Sequence, residues 1–187
     1  ESSLLYIIIY YFPPAQVTVV SHAFKSYQSG RADDALQLLV QGGSRDQDNA
    51  QLHATALNML LREKRYADVE SYVGVLPEKV KAQADIDTLQ VHAKLLHLAQ
   101  QAPTAAQLDI RLETTPDDLE VVLNRAAVAM VQDDYETALN HLLHILRQDR
   151  YYYDELPRKA MLVIFTLLGD RHVLTKTFHT AMREALH

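Results

Sequence analysis

The sequence contains no cysteine among its 187 residues. A disulfide framework, a thiol redox centre and a cysteine-ligated zinc site are therefore excluded. Tryptophan is also absent, and only five glycines and six prolines occur, so few positions force a turn or end a helix. Because 48% of the residues are hydrophobic, this composition predicts an all-helical globular protein with a buried core.

The charge balance argues against a nucleic-acid partner. The formal net charge is −6, whereas a phosphate-binding surface needs a stripe of positive charge. Residues 147–187 differ, with seven Lys or Arg against five Asp or Glu, a balance of +2. This excess indicates either an ordinary solvated face or a weak steering field for a partner. No apolar run reaches the length of about 18 residues that spans a bilayer, so no membrane association is expected.

The clearest structural pattern lies in residues 117–150. An apolar face at helical spacing is followed by the polar break Gln132-Asp133-Asp134 and then by a second such face. The first face comprises Leu119, Val122, Leu123, Ala126 and Met130, and the second comprises Ala138, Leu139, Leu142, Leu143, Ile145 and Leu146. Two helices joined by so short a turn must lie antiparallel.

The start of the second helix, Tyr135-Glu136-Thr137-Ala138, resembles the tetratricopeptide repeat, although the early Trp and the Leu-Gly pair of that family are missing. The small residue lets the two helices approach closely. Equivalent positions are Ala35 and Val69, which are 34 residues apart, and Ala138 lies 69 residues further on. The resemblance implies an all-α, right-handed superhelical array of about five antiparallel tetratricopeptide-like hairpins.

Punctuation along the chain predicts where the elements lie. Residues 1–16, which include LLYIIIYYF at 4–12, are interpreted as an extended linker, the tail of an upstream domain or an expression-derived addition. Residues 17–187 form the repeat domain. Gly42-Gly43 is expected to end the second helix.

The second half of the array is expected to be less regular. The hairpin made from helix 82–101 and a helix between Pro103 and Pro116 is expected to be splayed, because its turn lacks the aromatic and small residues. Helix 156–168 should be the most buried, since it is apolar nearly all round.

A more specific resemblance covers residues 17–187. The run Asp117-Asp118-Leu119-Glu120, residues 143–150, Arg158-Lys159, Phe165 and Leu167-Leu168-Gly169 are similar to the C-terminal domain of chaperedoxins. The family usually has Asp-Gly where this chain has Asp154-Glu155, and an aromatic and basic cluster where it has residues 178–181. These are thioredoxin-like bacterial co-chaperones. The resemblance implies a cytoplasmic, non-enzymatic module that holds unfolded clients or docks onto chaperone machinery.

Two surfaces are predicted to contact partners. The first helices of the hairpins should line a groove, with Asn58, Arg62, Asn124, Arg125 and Ala129 facing it. This set resembles only in part the carboxylate clamp of some tetratricopeptide domains. A second surface at the C-terminal end is predicted to comprise Tyr151, Tyr152, Arg158, Lys159, Phe178, Met182 and Arg183. The tyrosines there either present aromatic area or wedge the last hairpin, and the final helix either caps the array or docks.

No catalytic, cofactor or metal site is expected. The pairs His141 and His144, and His92 and His97, lack a well-placed third ligand. No nucleophile elbow or glycine-rich phosphate loop is present. The alternative function is that of a structural adaptor that assembles a bacterial complex without holding clients, and the sequence leaves the oligomeric state open.

Overall fold

A computed structural model describes residues 14–186, with side chains from Val19 onward. This part of the chain contains eleven helices and no strand, which confirms the all-α prediction. The predicted extended segment 4–12 lies outside the described residues. The helices are α1 (Pro14–Gln28), α2 (Ala32–Arg45), α3 (Ala50–Arg62), α4 (Tyr66–Gly74), α5 (Glu78–Lys81), α6 (Ala84–Gln101), α7 (Ala105–Thr114), α8 (Leu119–Val131), α9 (Tyr135–Gln148), α10 (Tyr152–Leu168) and α11 (Val173–Leu186).

The chain divides into two compact units between Gln90 and Val91. In unit 1, which ends at Gln90, α1 packs against α2, α2 against α3, and α3 against α4. In unit 2, which begins at Val91, α7 packs against α8 and α8 against α9. The last two helices both pack on α9 and on each other. Within each unit, consecutive helices therefore form the predicted hairpins.

The turns inside three hairpins repeat one backbone geometry. The residue just before the second helix's N-cap has positive φ, at +75° in Gly30, +58° in Lys64 and +59° in Asp133. These positions are 34 and 69 residues apart, which is the spacing predicted from the sequence. Lys and Asp accept this left-handed conformation only at a cost of about 1 kcal/mol each. The packing on both sides of the turn must offset that cost.

Side-chain caps start the helices where the sequence places Asn or Asp. Asn49 accepts a hydrogen bond from the Leu52 N–H at 3.1 Å, and Asp134 accepts one from the Thr137 N–H at 3.2 Å. Asp118 accepts from Glu120 and Val121. Each cap satisfies backbone donors that have no partner within the helix.

Small side chains lie where the helices of a hairpin cross. Ala35, Val69 and Ala138 are all fully buried. The predicted repeat register is therefore confirmed at all three positions. The core of unit 2 continues from this crossing through Leu139, Leu142 and the inner faces of α10 and α11.

The prediction that Gly42-Gly43 ends the second helix is wrong, because α2 continues to Arg45. These glycines serve close packing. A Cβ on Gly42 would lie 3.0 Å from both Leu52 Cδ2 and Val19 Cγ1, and one on Gly43 would lie 2.7 Å from His53 Cε1. Glycine therefore lets α1 and α3 approach the end of α2, at the usual cost of glycine in a helix interior.

The prediction of a splayed hairpin at α6 and α7 is confirmed. In unit 2, α7 packs against α8 and makes little contact with α6. Thr104 and Gln107 form a reciprocal capping box that starts α7 after the turn. Leu108 is fully buried, but Ile110 is 63% exposed, so the expected apolar face of α7 narrows to one side.

Helix α10 begins with an unusual turn. Tyr153, Asp154 and Glu155 all have positive φ, between +49° and +61°, so the right-handed helix starts at Leu156, as the sequence predicts. The prediction that this helix is the most buried is wrong, because Leu162 and Leu167 are 38% and 51% exposed. Its inner side packs on α9 and α11, and its outer side faces solvent.

The crossing of α8 and α9 predicts the effect of Ala138→Arg. A long charged side chain cannot fit a fully buried position between two helices, so we expect a loss of at least about 3 kcal/mol in the free energy of unfolding. Urea unfolding followed by circular dichroism measures it. The matched control is Asn140→Arg, at an exposed position of the same helix, which should change stability by no more than about 0.5 kcal/mol. Equal effects of the two variants would contradict the repeat register.

Candidate binding groove

A groove lies between α1 and α3 in unit 1. It encloses a cavity of about 320 Å³. Its lining combines two aromatic side chains, one thioether and three polar groups, namely Phe24, Tyr27, Met59, Thr55, Asn58 and Arg62. Two of the residues predicted to face a groove, Asn58 and Arg62, therefore lie in one cavity.

Helical spacing brings these side chains together. On α3 the lining positions 55, 58, 59 and 62 follow the i, i+3, i+4, i+7 pattern of one helix face. The opposite face of α3 carries Ala56, Leu57 and Leu60, which are buried in the core. Because the core fixes the rotation of α3, the remaining face must present Asn58 and Arg62 to the groove.

The polar groups of the groove differ in how far they are already satisfied. Asn58 donates its Nδ2–H to the Ala54 carbonyl at 2.9 Å, which leaves its Oδ1 as an acceptor. Tyr27 donates its hydroxyl to the Glu63 carboxylate, and this hydrogen bond raises the pKa of Tyr27. Arg62 is exposed and has no ion-pair partner among the described side chains. The groove thus offers an acceptor and a cation beside an apolar wall.

The groove residues predicted in unit 2 lie differently. Asn124 is half-buried, and Arg125 forms an ion pair with Asp109, with 2.6 Å between Nε and Oδ1. Ala129 is fully buried, so its prediction as a partner-contacting residue is wrong. The repeat register explains this result. Adding the 69-residue offset to positions 58 and 62 gives Ala127 and Val131, so the polar pair of α3 has no counterpart on α8.

The Arg125–Asp109 ion pair holds α7 on α8. Only 12% of the Arg125 side chain is exposed, and its Nη1 has no hydrogen-bond partner. His141 lies close by, where burial first and the Arg125 charge second lower its pKa. Because α7 makes little contact with α6, this pair and Leu108 carry much of its attachment.

Asp109→Ala should destabilise unit 2 more than loss of a surface charge does. The change leaves a largely buried guanidinium without its carboxylate, and we expect a cost of about 2 kcal/mol. Adding Arg125→Met should recover part of that loss, because it removes the uncompensated charge. Chemical unfolding of the single and double variants measures both effects. Asp34→Ala removes a carboxylate from an exposed pair with Arg31 and should cost no more than about 1 kcal/mol. Equal losses for Asp34→Ala and Asp109→Ala would argue against a structural role for the buried pair.

The residues predicted for the C-terminal docking surface divide into two groups. Phe178 and Met182 are each 7% exposed and belong to the core of unit 2, so their assignment as docking residues is wrong. Their burial supports the alternative in which α11 caps the helices beneath it. The Arg183 side chain is exposed.

The residues between α9 and α10 are more accessible. Tyr151 is 65% exposed, whereas Tyr152 packs partly against the core. The wedge alternative thus fits Tyr152, and the alternative of a presented aromatic surface fits Tyr151. Arg158 is half-buried and pairs with Glu155 at 2.6 Å. Lys159 is half-buried as well.

A buried polar cluster in unit 1 was missed by the sequence analysis. His53 is 3% exposed, and its Nε2 lies 3.1 Å from the Gln47 carbonyl. Because a carbonyl only accepts, Nε2 carries the proton. Its Nδ1 then accepts from the Tyr72 hydroxyl at 2.9 Å. Burial lowers the pKa of His53 and raises that of Tyr72 to about 12. The only sequence signal was Gly43, whose missing side chain makes room for the imidazole.

His53 predicts that acid weakens unit 1. The pKa of the folded state lies below the usual value near 6.5, so the unfolded chain binds the proton more readily. Its contribution to stability is complete above about pH 6.5 and is lost as the pH falls below that value. NMR titration of the imidazole should show a midpoint below that of the exposed His22. A midpoint for His53 at or above that of His22 would refute the prediction.

The described residues contain no group of three or more His, Asp or Glu side chains arranged to hold a metal ion. His144 instead lies 3.4 Å from Asp117, and burial lowers the pKa of His92. Between residues 14 and 186, no helix has both the length and the apolar character to cross a membrane.

Comparison with known proteins supports the repeat fold. Residues 98–187 match the family model of the tetratricopeptide repeat, which confirms the predicted resemblance for that region. No curated protein matches the sequence. A solved domain of protein VP0806, of unknown function, from Vibrio parahaemolyticus is 18% identical, and the alignment covers 90% of this chain and 98% of that domain. Its TM-score of 0.40 is too low to support an argument. The more specific resemblance to chaperedoxins stays a prediction.

Proposed function

We propose that this chain is a protein-interaction module that holds unfolded client segments as part of a bacterial, cytoplasmic co-chaperone of the chaperedoxin type. Tetratricopeptide repeats generally mediate protein–protein interaction. The observation that carries the proposal is the groove between α1 and α3, where an apolar wall and a cation share one cavity. The resemblance to chaperedoxins supplies the type of partner.

The lining of the groove suits a ligand of variable sequence. Phe24 and Tyr27 provide half-exposed aromatic area, and Met59 provides a flexible thioether that adapts to different side chains. The free acceptor of Asn58 can bind a backbone N–H of an extended segment. Arg62 then favours segments with an acidic residue nearby. A cavity of about 320 Å³ holds one or two side chains, so each contact is weak and exchangeable.

A light-scattering assay tests this function. A chemically unfolded model protein is diluted into buffer with or without the chain, and we expect near-stoichiometric amounts to suppress aggregation. The double variant Phe24→Ala and Tyr27→Ala should need several times more protein for the same suppression, since it removes the aromatic wall. Arg62→Gln should weaken suppression less.

Arg45→Gln is the matched control for Arg62→Gln. Arg45 is exposed in the last turn of α2 and does not line the groove. The thermal midpoint of each variant shows whether it remains folded. Absence of suppression by the wild-type chain would overturn client holding and favour the adaptor function, for which a folded partner would be sought. Suppression that is unchanged in the double variant would place client binding outside this groove.

A further inference from the structure

A second recess lies at the C-terminal end of unit 2, away from the lining of the groove. It encloses about 380 Å³ between the loop after α9, the first turn of α10 and the end of α11. Two arginines, Arg150 and Arg158, line it together with Tyr151, Glu155 and Leu186. The recess lies in the part of the sequence that carries an excess of positive charge.

Both arginines are held in place by contacts with neighbouring groups. The Arg150 guanidinium lies over the Tyr151 ring, 5.1 Å from its centroid, and its Nη1 donates weakly to the Leu186 carbonyl at 3.4 Å. Arg158 donates its Nε–H to Glu155 Oε2 at 2.7 Å. Most donors of these guanidinium groups are therefore oriented without being used. Pre-oriented donors bind an anion at a smaller entropy cost than free ones.

The backbone of α10 adds positive potential to the recess. Because residues 153–155 are left-handed, the right-handed helix begins at Leu156, and Arg158 and Lys159 fall in its first turn. The N-terminal end of a helix dipole is itself positive, so basic residues there are unfavourable unless an anion is near. Glu155 supplies only one carboxylate against Arg150 and Arg158. A second anion would offset the remaining charge.

We propose that this recess binds a carboxylate-bearing segment of a partner protein. Arginine pairs with carboxylates through two parallel hydrogen bonds, and two arginines can engage neighbouring acidic residues. The exposed Tyr151 and the Leu186 side chain give the recess apolar area that a peptide covers and a free phosphate does not. Glu155 and the overall charge of −6 oppose an extended polyanion such as nucleic acid.

Fluorescence anisotropy with a short fluorescein-labelled peptide rich in Glu tests the proposal. The full chain should bind it, and binding should weaken at high salt. The same peptide with Gln in place of every Glu should not bind. Arg150→Gln and Arg158→Gln should each weaken binding about tenfold, which corresponds to the loss of one charge-assisted hydrogen-bonding group.

Two further variants separate local recognition from general charge. Arg171→Gln removes the same charge from an exposed position outside the recess and should leave the affinity unchanged, as should Arg62→Gln in the groove of unit 1. Glu155→Gln should tighten binding several-fold, because it removes the competing carboxylate. A variant that merely damaged the structure would not improve the affinity.

Four results would overturn the proposal. They are the absence of binding to the Glu-rich peptide, equal binding of the Gln-containing peptide, equal weakening by Arg171→Gln, and displacement of the peptide by inorganic phosphate at comparable concentration. The last would show an unspecific anion site. These outcomes do not depend on client suppression, since they involve neither Phe24 nor Tyr27. Failure here and failure of the groove are therefore distinguishable.

Discussion

The close crossing of paired helices at a small buried side chain is the contact on which the rest of this structure depends. Ala35, Val69 and Ala138 are fully buried at that crossing, and helices that approach so closely have their rotation fixed by packing. Once rotation is fixed, the exposed faces are fixed too. The positions of Asn58 and Arg62 in the groove are thus a consequence of core packing on the other side of α3.

The two units share this packing rule but differ in what they expose. In unit 1 the outward face of α3 carries polar and thioether side chains, whereas the equivalent positions in unit 2 are Ala127 and Val131. Unit 2 instead carries its basic groups at the turn into α10. The conserved geometry of a repeat therefore does not imply a repeated binding site, because the crossing constrains only the inward positions.

The sequence predicted most of the features that depend on local chemistry. The turns at Gly30, Lys64 and Asp133, the cap at Asn49 and the start of α10 at Leu156 all follow from nearby residues, and the 34-residue period links them. It failed where distant residues decide. Gly42 and Gly43 look like a helix end, yet contacts with α1 and α3 keep α2 intact there. Ala129, Phe178 and Met182 were placed on surfaces because only tertiary packing shows that they are buried.

The left-handed turn before α10 shows how such packing redirects local preference. Three consecutive non-glycine residues with positive φ cost about 1–2 kcal/mol each, and nothing in the local sequence lowers that cost. Leu156, Pro157 and Met161 are buried directly after the turn, and their burial offsets strain of this size. Pro157 also suits the first turn, where its missing N–H would have no partner. The core of unit 2 thereby fixes where α10 starts, and that start places Arg158 at the recess.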